Sequence, residues 1–388
     1  MPHALLSASG ASRWMACTPS ARLEEQFPES TSSYAEEGTL AHELADTLCR
    51  YKTGLFCDLS TELENISKSP LYNTEMYDYI DRYSDYVNEC FMTSRSYSSD
   101  AVIETEVRLD LRKYIPDGFG TSDIVVIADG VMQIIDLKYG KGVPVSAENN
   151  KQMMLYALGA LDKYDLLYDI SVVNMTIYQP RLDNISVCEM PVEDLLNWAE
   201  TILREKAALA FDGAGEYQAG EHCRFCRAKG VCRARAEENL KLACYEFKQA
   251  DLLAENEIAD ILKVADNLKN WADDVAAFAL DQAVNQGVHY EGWKVVEGRS
   301  NRIYTDPKKV EDKLKSEQYT DRDIFNIKLK GIGDIEKLMG KKRFQTILGD
   351  FIVRPQGKPT LAPETDGRPE WNSAVSAALD FANTEYED

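Results

Sequence analysis

Two carboxylates and a lysine stand at the ends of the strongest strand signals in the chain. Asp123 follows Gly120-Thr-Ser at the mouth of one apolar run, Ser122 to Ala128, and Asp136 and Lys138 close the next, Val131 to Leu137. Between the runs lies Asp129-Gly130, a hairpin signal, because a two-residue type I′ turn needs positive φ at both central positions. Antiparallel pairing about that turn puts Asp123 directly opposite Asp136, with Cβ atoms roughly 4.5–5.5 Å apart on one face of the sheet. Lys138, two residues on, returns to the same face. Two carboxylates this close repel, and neither can be buried ionised without a cation. A divalent metal resolves the conflict, and oxygen ligands suit Mg²⁺ or Mn²⁺. A lysine beside it could orient or deprotonate water, or steady charge developing on a phosphate. The same acidic-x-Lys spacing recurs at Glu246/Lys248, Asp306/Lys308 and Glu311/Lys313. What separates Asp136 and Lys138 is their place at the end of an apolar strand, where solvated charges are not expected.

Further chemistry-bearing residues flank this pair. Gln152 and Tyr156, four apart on the following helix, share one face. His42, in Glu37-Gly-Thr-Leu-Ala-His42, lies off the Leu40/Leu44/Leu48 stripe of its helix. Cys223, Cys226 and Cys232 bring three thiols close together in sequence, and thiolates select zinc or an iron–sulfur cluster. Cys244, His222 and Cys17 are candidates for a fourth ligand. Cys49, Cys57, Cys90 and Cys188 read as small buried hydrophobes. Arg224, Arg227, Lys229, Arg233 and Arg235 occur with no acidic residue among them, a local positive patch suited to a phosphate backbone. More basic residues cluster at Lys308, Lys309, Lys313 and Lys315, and at Lys341, Lys342 and Arg343. Gly331-Ile-Gly333 before a helix reads as a packing turn.

The elements that must position these residues follow from periodicity. A helix starts near Tyr34, where Ser33 and Glu36 form a capping box. Residues 58–100 read as an inserted helical layer, helical around Met76 to Phe91. Ala101 to Leu109 alternates as a strand with Val102, Glu104, Glu106 and Arg108 on one face. After the hairpin come a helix from Glu148 to Tyr164, a strand from Ile170 to Gln179 and a helix from Leu195 to Phe211. This order implies a mixed α/β core. Beyond Cys244 a long amphipathic helix, Glu255 to Val288, leads to a short strand at Trp293 to Val296 and smaller helices. The expected divisions are 1–244, a mainly helical accessory region 245–354 and a Pro-rich, acidic tail 355–388.

Composition limits the function classes. The 388 residues include 44% hydrophobic ones, enough for a substantial core. Forty-three basic against 65 acidic residues leave a net charge of −22, which argues against coating nucleic acid through bulk charge but not against a local groove or metal-screened site. No apolar run is long enough to span a bilayer, and the N-terminus lacks a secretory pattern. Nine cysteines without an export signal imply reduced thiols or metal ligands in the cytoplasm.

In order along the chain, Gly-Thr-x-x-His42, Gly-x-x-Asp123, Asp136-x-Lys138 and Gln152-x-x-x-Tyr156 resemble the motifs of PD-(D/E)xK nucleases. The likeness is to the RecB/AddB and CRISPR-associated exonuclease branch, and the whole chain is similar to an uncharacterised phage and prophage family of that superfamily. The resemblance implies a restriction-endonuclease-like α/β fold, with a metal held by His42, Asp123, Asp136 and the Leu137 carbonyl. It gives Lys138 the catalytic water, and it has Gln152 and Tyr156 orient the site and the nucleic-acid backbone. It also favours Cys17 as the fourth cysteine, since RecB-like nucleases with a cluster place one before the core and three after. Joining Cys17 to Cys223, Cys226 and Cys232 closes a loop of about two hundred residues and staples the core. A [4Fe–4S] cluster is the first expectation, and zinc with three cysteines and His222 the second. The implied activity is a Mg²⁺- or Mn²⁺-dependent deoxyribonuclease, an exonuclease by resemblance, serving phage DNA replication or recombination beside a single-strand-annealing protein. The alternatives are a non-catalytic DNA-binding or assembly module of a recombination complex and a zinc-stabilised scaffold.

Overall fold

Five strands form the sheet that carries the expected site residues: β1 (Val102–Asp110), β2 (Phe119–Ala128), β3 (Gly130–Leu137), β4 (Ile170–Gln179) and β5 (Asn184–Pro191). They lie side by side in chain order, antiparallel except for β3 and β4, which run parallel. The crossover between those two is α6 (Lys151–Tyr164), as parallel neighbours require. The computed structural model describes residues 4–28, 33–55, 58–164, 166–241, 255–296, 306–325 and 331–352. Cys57, Cys244 and the tail 355–388 lie outside the described residues.

Helices cover both faces of the sheet, which explains why β2 and β3 read as nearly continuous apolar runs. On one face, α3 (Ser33–Lys52), α4 (Leu59–Ser67) and α5 (Thr74–Tyr97) contribute Leu40, Leu44, Leu48, Ile66, Met76, Ile80 and Val87 to a core with Ile124, Val126, Ile135 and Leu137. The inserted layer expected at 58–100 is thus a structural half of the domain. On the other face, Val125, Ile127, Met132, Ile134, Val173 and Met175 pack with Met153, Leu155 and Leu158 of α6. That core also takes in α1 (Ala11–Ala16), α7 (Val192–Trp198) and α8 (Arg204–Asp212), the last two joined by a π-helical stretch at Ala199–Leu203. Each large aliphatic side chain buried in these layers contributes about 1.5–3 kcal/mol. Two short helices, α2 (Ser20–Glu24) and α9 (Arg233–Leu240), frame the cysteine residues, and α10 (Glu255–Asn285) follows.

Contacts divide the chain into two compact units, Met1–Glu291 and Gly292–Asp388. The long helix α10 groups with the first, although a division at residue 244 assigns it to the accessory region. Trp293 to Val296 is not a strand, because no neighbouring strand is there to pair with it among the described residues. The second unit holds α11 (Pro307–Ser316), α12 (Asp321–Ile324), α13 (Ile332–Met339) and α14 (Lys341–Leu348). Asp306 caps α11 by accepting from Lys309 N–H at 3.1 Å, with Pro307 at the first helical position. No described helix is long and apolar enough to cross a membrane.

Candidate metal centre and cysteine pocket

The hairpin holds the expected register from Ala128↔Val131 out to Ile124↔Ile135. Only Gly130 takes positive φ, at 84°, so the turn has type II rather than type I′ character. Beyond Ile124 the ladder ends, and the Leu137 N–H donates instead to Asp123 Oδ2 at 2.7 Å. The carboxylate thus replaces a backbone acceptor where the two strands part, and His42 of α3 reaches it there, with Nδ1 3.2 Å from Asp123 Oδ1.

Asp136 is 2% exposed and faces α6. Lys138 Nζ lies 2.8 Å from its Oδ2, and Gln152 Nε2 donates to its Oδ1 at 3.2 Å. Lys138 also donates to Gln152 Oε1 at 3.0 Å, so one amide fixes both members of the pair. Gln152 Nε2 in turn contacts the Tyr156 hydroxyl at 3.0 Å. Despite its nearness to Lys138, Asp136 Oδ2 has no hydrogen bond of good geometry, leaving a buried carboxylate oxygen with open acceptor capacity. Two contact chains result, His42 to Asp123 and Asp136 to Lys138, Gln152 and Tyr156, and the Leu137 N–H on Asp123 brings them to the same end of the hairpin.

Glu106 joins them, although strand alternation alone gives it no place at the site. The β1–β2 register runs from Thr105↔Ile124 to Val107↔Ser122, stepping over Glu106 and Asp123. Glu106 takes φ 47°, a strained value for a residue with a side chain, and it reverses the alternation of β1. Ile103 packs into the α3/α5 core, whereas Val107 and Leu109 enter the α6 core, so Val102 to Arg108 do not share one face throughout. The ligand atoms of His42, Glu106 and Asp123 lie within 4.8 Å of one another. The signal that could have found Glu106 is the β1–β2 register, which places it opposite Asp123.

The charges of this group are strongly coupled. Burial pushes the Glu106 carboxyl up to about 7, helped by the Asp123 charge, although part of the residue remains open to solvent. Burial opposes charge on His42, but Asp123 outweighs it and raises the imidazole to about 9. Burial likewise opposes ionisation of Asp123, yet His42 and the Leu137 N–H hold its carboxyl below the ordinary value. Asp136 is raised, first by burial and then by Asp123, with Lys138 acting against both. Two carboxylates and an imidazole of this kind are a donor set for Mg²⁺ or Mn²⁺, and the open oxygen of Asp136 extends it.

Gly120 of the Gly-x-x-Asp123 motif has a packing reason. A Cβ there would stand 2.9 Å from Tyr156 Cε1. Gly120→Ala should push the Tyr156 ring away from Gln152, costing about 1–3 kcal/mol of stability and loosening the Asp136–Lys138–Gln152 set. Thermal melting combined with the tyrosine ring signals by NMR checks this; an unshifted Tyr156 speaks against it.

The four cysteines named from the sequence line one small cavity: Cys17 from the turn after α1, and Cys223, Cys226 and Cys232 from the segment before α9. Backbone N–H groups already point at two sulfurs, Gln218 N to Cys17 at 3.5 Å and Gly220 N to Cys223 at 3.4 Å. His222 Nε2 donates to the Gln218 carbonyl at 2.9 Å, and the ring is raised to about 10, first by Cys17 and then by Cys223. Cys223 is lowered because His222 outweighs its burial, whereas burial pushes Cys226 up to about 12. Cys49 is fully buried, as expected of a small hydrophobe; Cys90 and Cys188 are partly exposed.

The basic patch is smaller than its sequence suggests. Lys229 and Arg235 converge on Asp274 of α10, at 2.9 and 2.6 Å, and Arg235 is buried. One carboxylate, 39 residues away from Arg235, pairs with both and offsets half of their charge, which a local count does not see. Arg224, Arg227 and Arg233 are exposed. In the second unit, Lys309, Lys313 and Lys315 pair with Asp306, Glu317 and Glu311.

A solved structure titled "Crystal structure of SSO0001" is similar at 14% identity and a TM-score of 0.22, covering 49% of this chain and 85% of that one. A family model described as "Protein of unknown function (DUF2800)" matches residues 3–369. That match runs through the sheet, the cysteine pocket and the second unit alike, so the chain belongs to the DUF2800 family.

Proposed function

We propose that this protein is a metal-dependent deoxyribonuclease of PD-(D/E)xK type that acts from DNA ends, with a [4Fe–4S] cluster stapling its core. The observation that carries the reading is the meeting of His42, Glu106, Asp123, Asp136 and Lys138 where β2 and β3 part. A structural ion pair does not need three carboxylates, and burial first, then the Asp123 charge, raises both Glu106 and Asp136, a cost that a bound cation would offset. His42, Glu106, Asp123 and the open oxygen of Asp136 would hold the ion, with the Leu137 carbonyl as a further oxygen. Bound there, Mg²⁺ or Mn²⁺ supplies Lewis-acid polarisation of the phosphate and an acidified water.

The chain's own groups do the remaining work. Gln152 and Asp136 fix the Lys138 ammonium beside the carboxylates, where it orients the attacking water and balances negative charge growing on the phosphate. Tyr156 locks Gln152 from the α6 side. Water oxygen bonds to phosphorus and gives up a proton to solvent, the phosphodiester P–O bond breaks, and the leaving oxygen takes up a proton from solvent.

For the cysteine pocket, the fit rests on four thiols around one cavity with two N–H donors already aimed at sulfur. Tetrahedral zinc with 2.3 Å bonds needs sulfurs roughly 3.8 Å apart. Iron and acid-labile sulfide assayed against zinc in the purified protein separate the cluster from a tetrahedral zinc site. The reading places the protein in phage DNA replication or recombination, beside a single-strand-annealing protein.

End-labelled linear DNA, single- and double-stranded, incubated with Mg²⁺ or Mn²⁺ next to a covalently closed circle, tests the activity. Release of nucleotides from linear substrates, an intact circle and complete inhibition by chelator are expected. Linear DNA left whole by metal-loaded protein in every condition rejects the nuclease.

A further inference from the structure

Ser20 is the residue after Cys17-Thr-Pro19, at the start of α2. It is 2% exposed, and its Oγ is buried with no hydrogen-bond partner. A buried hydroxyl without a partner is costly and calls for an explanation. Its surroundings supply one, because Ser20 lines the same cavity as Cys17, Cys223, Cys226 and Cys232. The position is fixed rather than incidental. Ser20 N–H donates to the Cys17 carbonyl at 3.0 Å, and Thr18 Oγ1 donates to the Ala214 carbonyl at 2.6 Å, so this turn is tied down on both sides of Pro19. Two other donors of the pocket, Gln218 N and Gly220 N, already address sulfurs.

We propose that the Ser20 hydroxyl donates a hydrogen bond to a sulfur of the bound iron–sulfur cluster and thereby sets the cluster's reduction potential. The inference rests on the cluster reading above. Ser20 is a positioning residue: it touches neither DNA nor the carboxylate site and acts through the cluster. A hydrogen bond to sulfur strengthens as electron density on the cluster rises, so it stabilises the reduced form and raises the potential. Reduction here is a one-electron transfer from added dithionite to the cluster, with no bond made or broken at Ser20.

The test is a dye-mediated redox titration of the full chain purified without oxygen, followed at the visible iron–sulfur band, with iron and sulfide measured on each sample. Ser20→Ala should keep its iron and shift to a more negative potential. At a fixed poise its reduced-to-oxidised ratio should fall about threefold to tenfold, tenfold being about 59 mV for one electron. Should the smaller side chain disturb loading, Ser20→Thr and Ser20→Val form a shape-matched pair in which only the hydroxyl differs. Thr should hold the wild-type potential and Val should fall below it. Equal potentials for Thr and Val, or a wild-type potential in Ser20→Ala, overturn the role of Ser20 while leaving the cluster intact. Wild-type protein that carries zinc, or no metal, overturns the cluster reading itself and this proposal with it.

Discussion

Lys138→Ala is expected to slow DNA hydrolysis by about 10²–10⁴-fold, the range typical of losing one group that moves a proton or stabilises charge in the transition state. His42, Glu106 and Asp123 make no ion pair with Lys138, so Mn²⁺ should still bind to the variant, with an affinity changed through Asp136, which Lys138 pairs with at 2.8 Å. Stability will fall as well. Asp136 is 2% exposed and would keep only the Gln152 donor at 3.2 Å. Removing one partner of a buried pair costs about 3–5 kcal/mol, and the partial exposure of Lys138 places the loss near the lower end. Lys138→Arg should not restore the rate. A planar guanidinium cannot copy the point contacts at 2.8 and 3.0 Å to Asp136 and Gln152. Single-turnover hydrolysis at saturating Mn²⁺, run well below the melting temperature of each variant, measures the rate effect alone. A Lys138→Ala rate within threefold of wild type contradicts the assigned role.

The second large effect belongs to the cysteines. Cys17→Ser and Cys226→Ser should each lose the visible iron–sulfur absorption and melt at least about 10 °C lower. Linking Cys17 to the segment before α9 closes a loop of about two hundred residues, worth about 5 kcal/mol in the chain-entropy picture. For a unit of this size each kcal/mol moves the melting temperature by about 2–4 °C. Cys49→Ser provides the contrast. It lies in the α3/α5 core, so the substitution should cost stability by burying a hydroxyl but leave the iron content unchanged. Iron retained in both Cys17→Ser and Cys226→Ser would remove those thiols from the ligand set.

The hairpin was legible because Asp129-Gly130 separates two apolar runs, although the ladder stops at Ile124↔Ile135, one pair short of the expected Asp123 and Asp136. The helix stripe Leu40/Leu44/Leu48 was equally plain, and all three side chains are buried. Glu106 was not legible. Its position depends on the β1–β2 pairing and on a left-handed backbone conformation that simple alternation does not foresee. Strand β5 also escaped notice. It is an edge strand whose exposed Ile185 and Val187 alternate with partly buried Ser186 and Cys188, a weak signal between two prolines. The basic patch failed for a third reason: Asp274 reaches Lys229 and Arg235 only after the chain has folded. Local patterns located the hairpin and the helix stripe, and long-range pairing decided which charges meet.

The central claim is that one site, where β2 and β3 part, hydrolyses DNA. Wild type and Asp136→Ala, purified without oxygen and matched for iron content and helical signal, should be compared on end-labelled linear DNA with Mn²⁺. Metal-dependent release of nucleotides by wild type, with at least a thousandfold loss in Asp136→Ala, is the predicted result. Equal release by both proteins would place the activity elsewhere, and no release by either would leave the acidic centre without the assigned reaction.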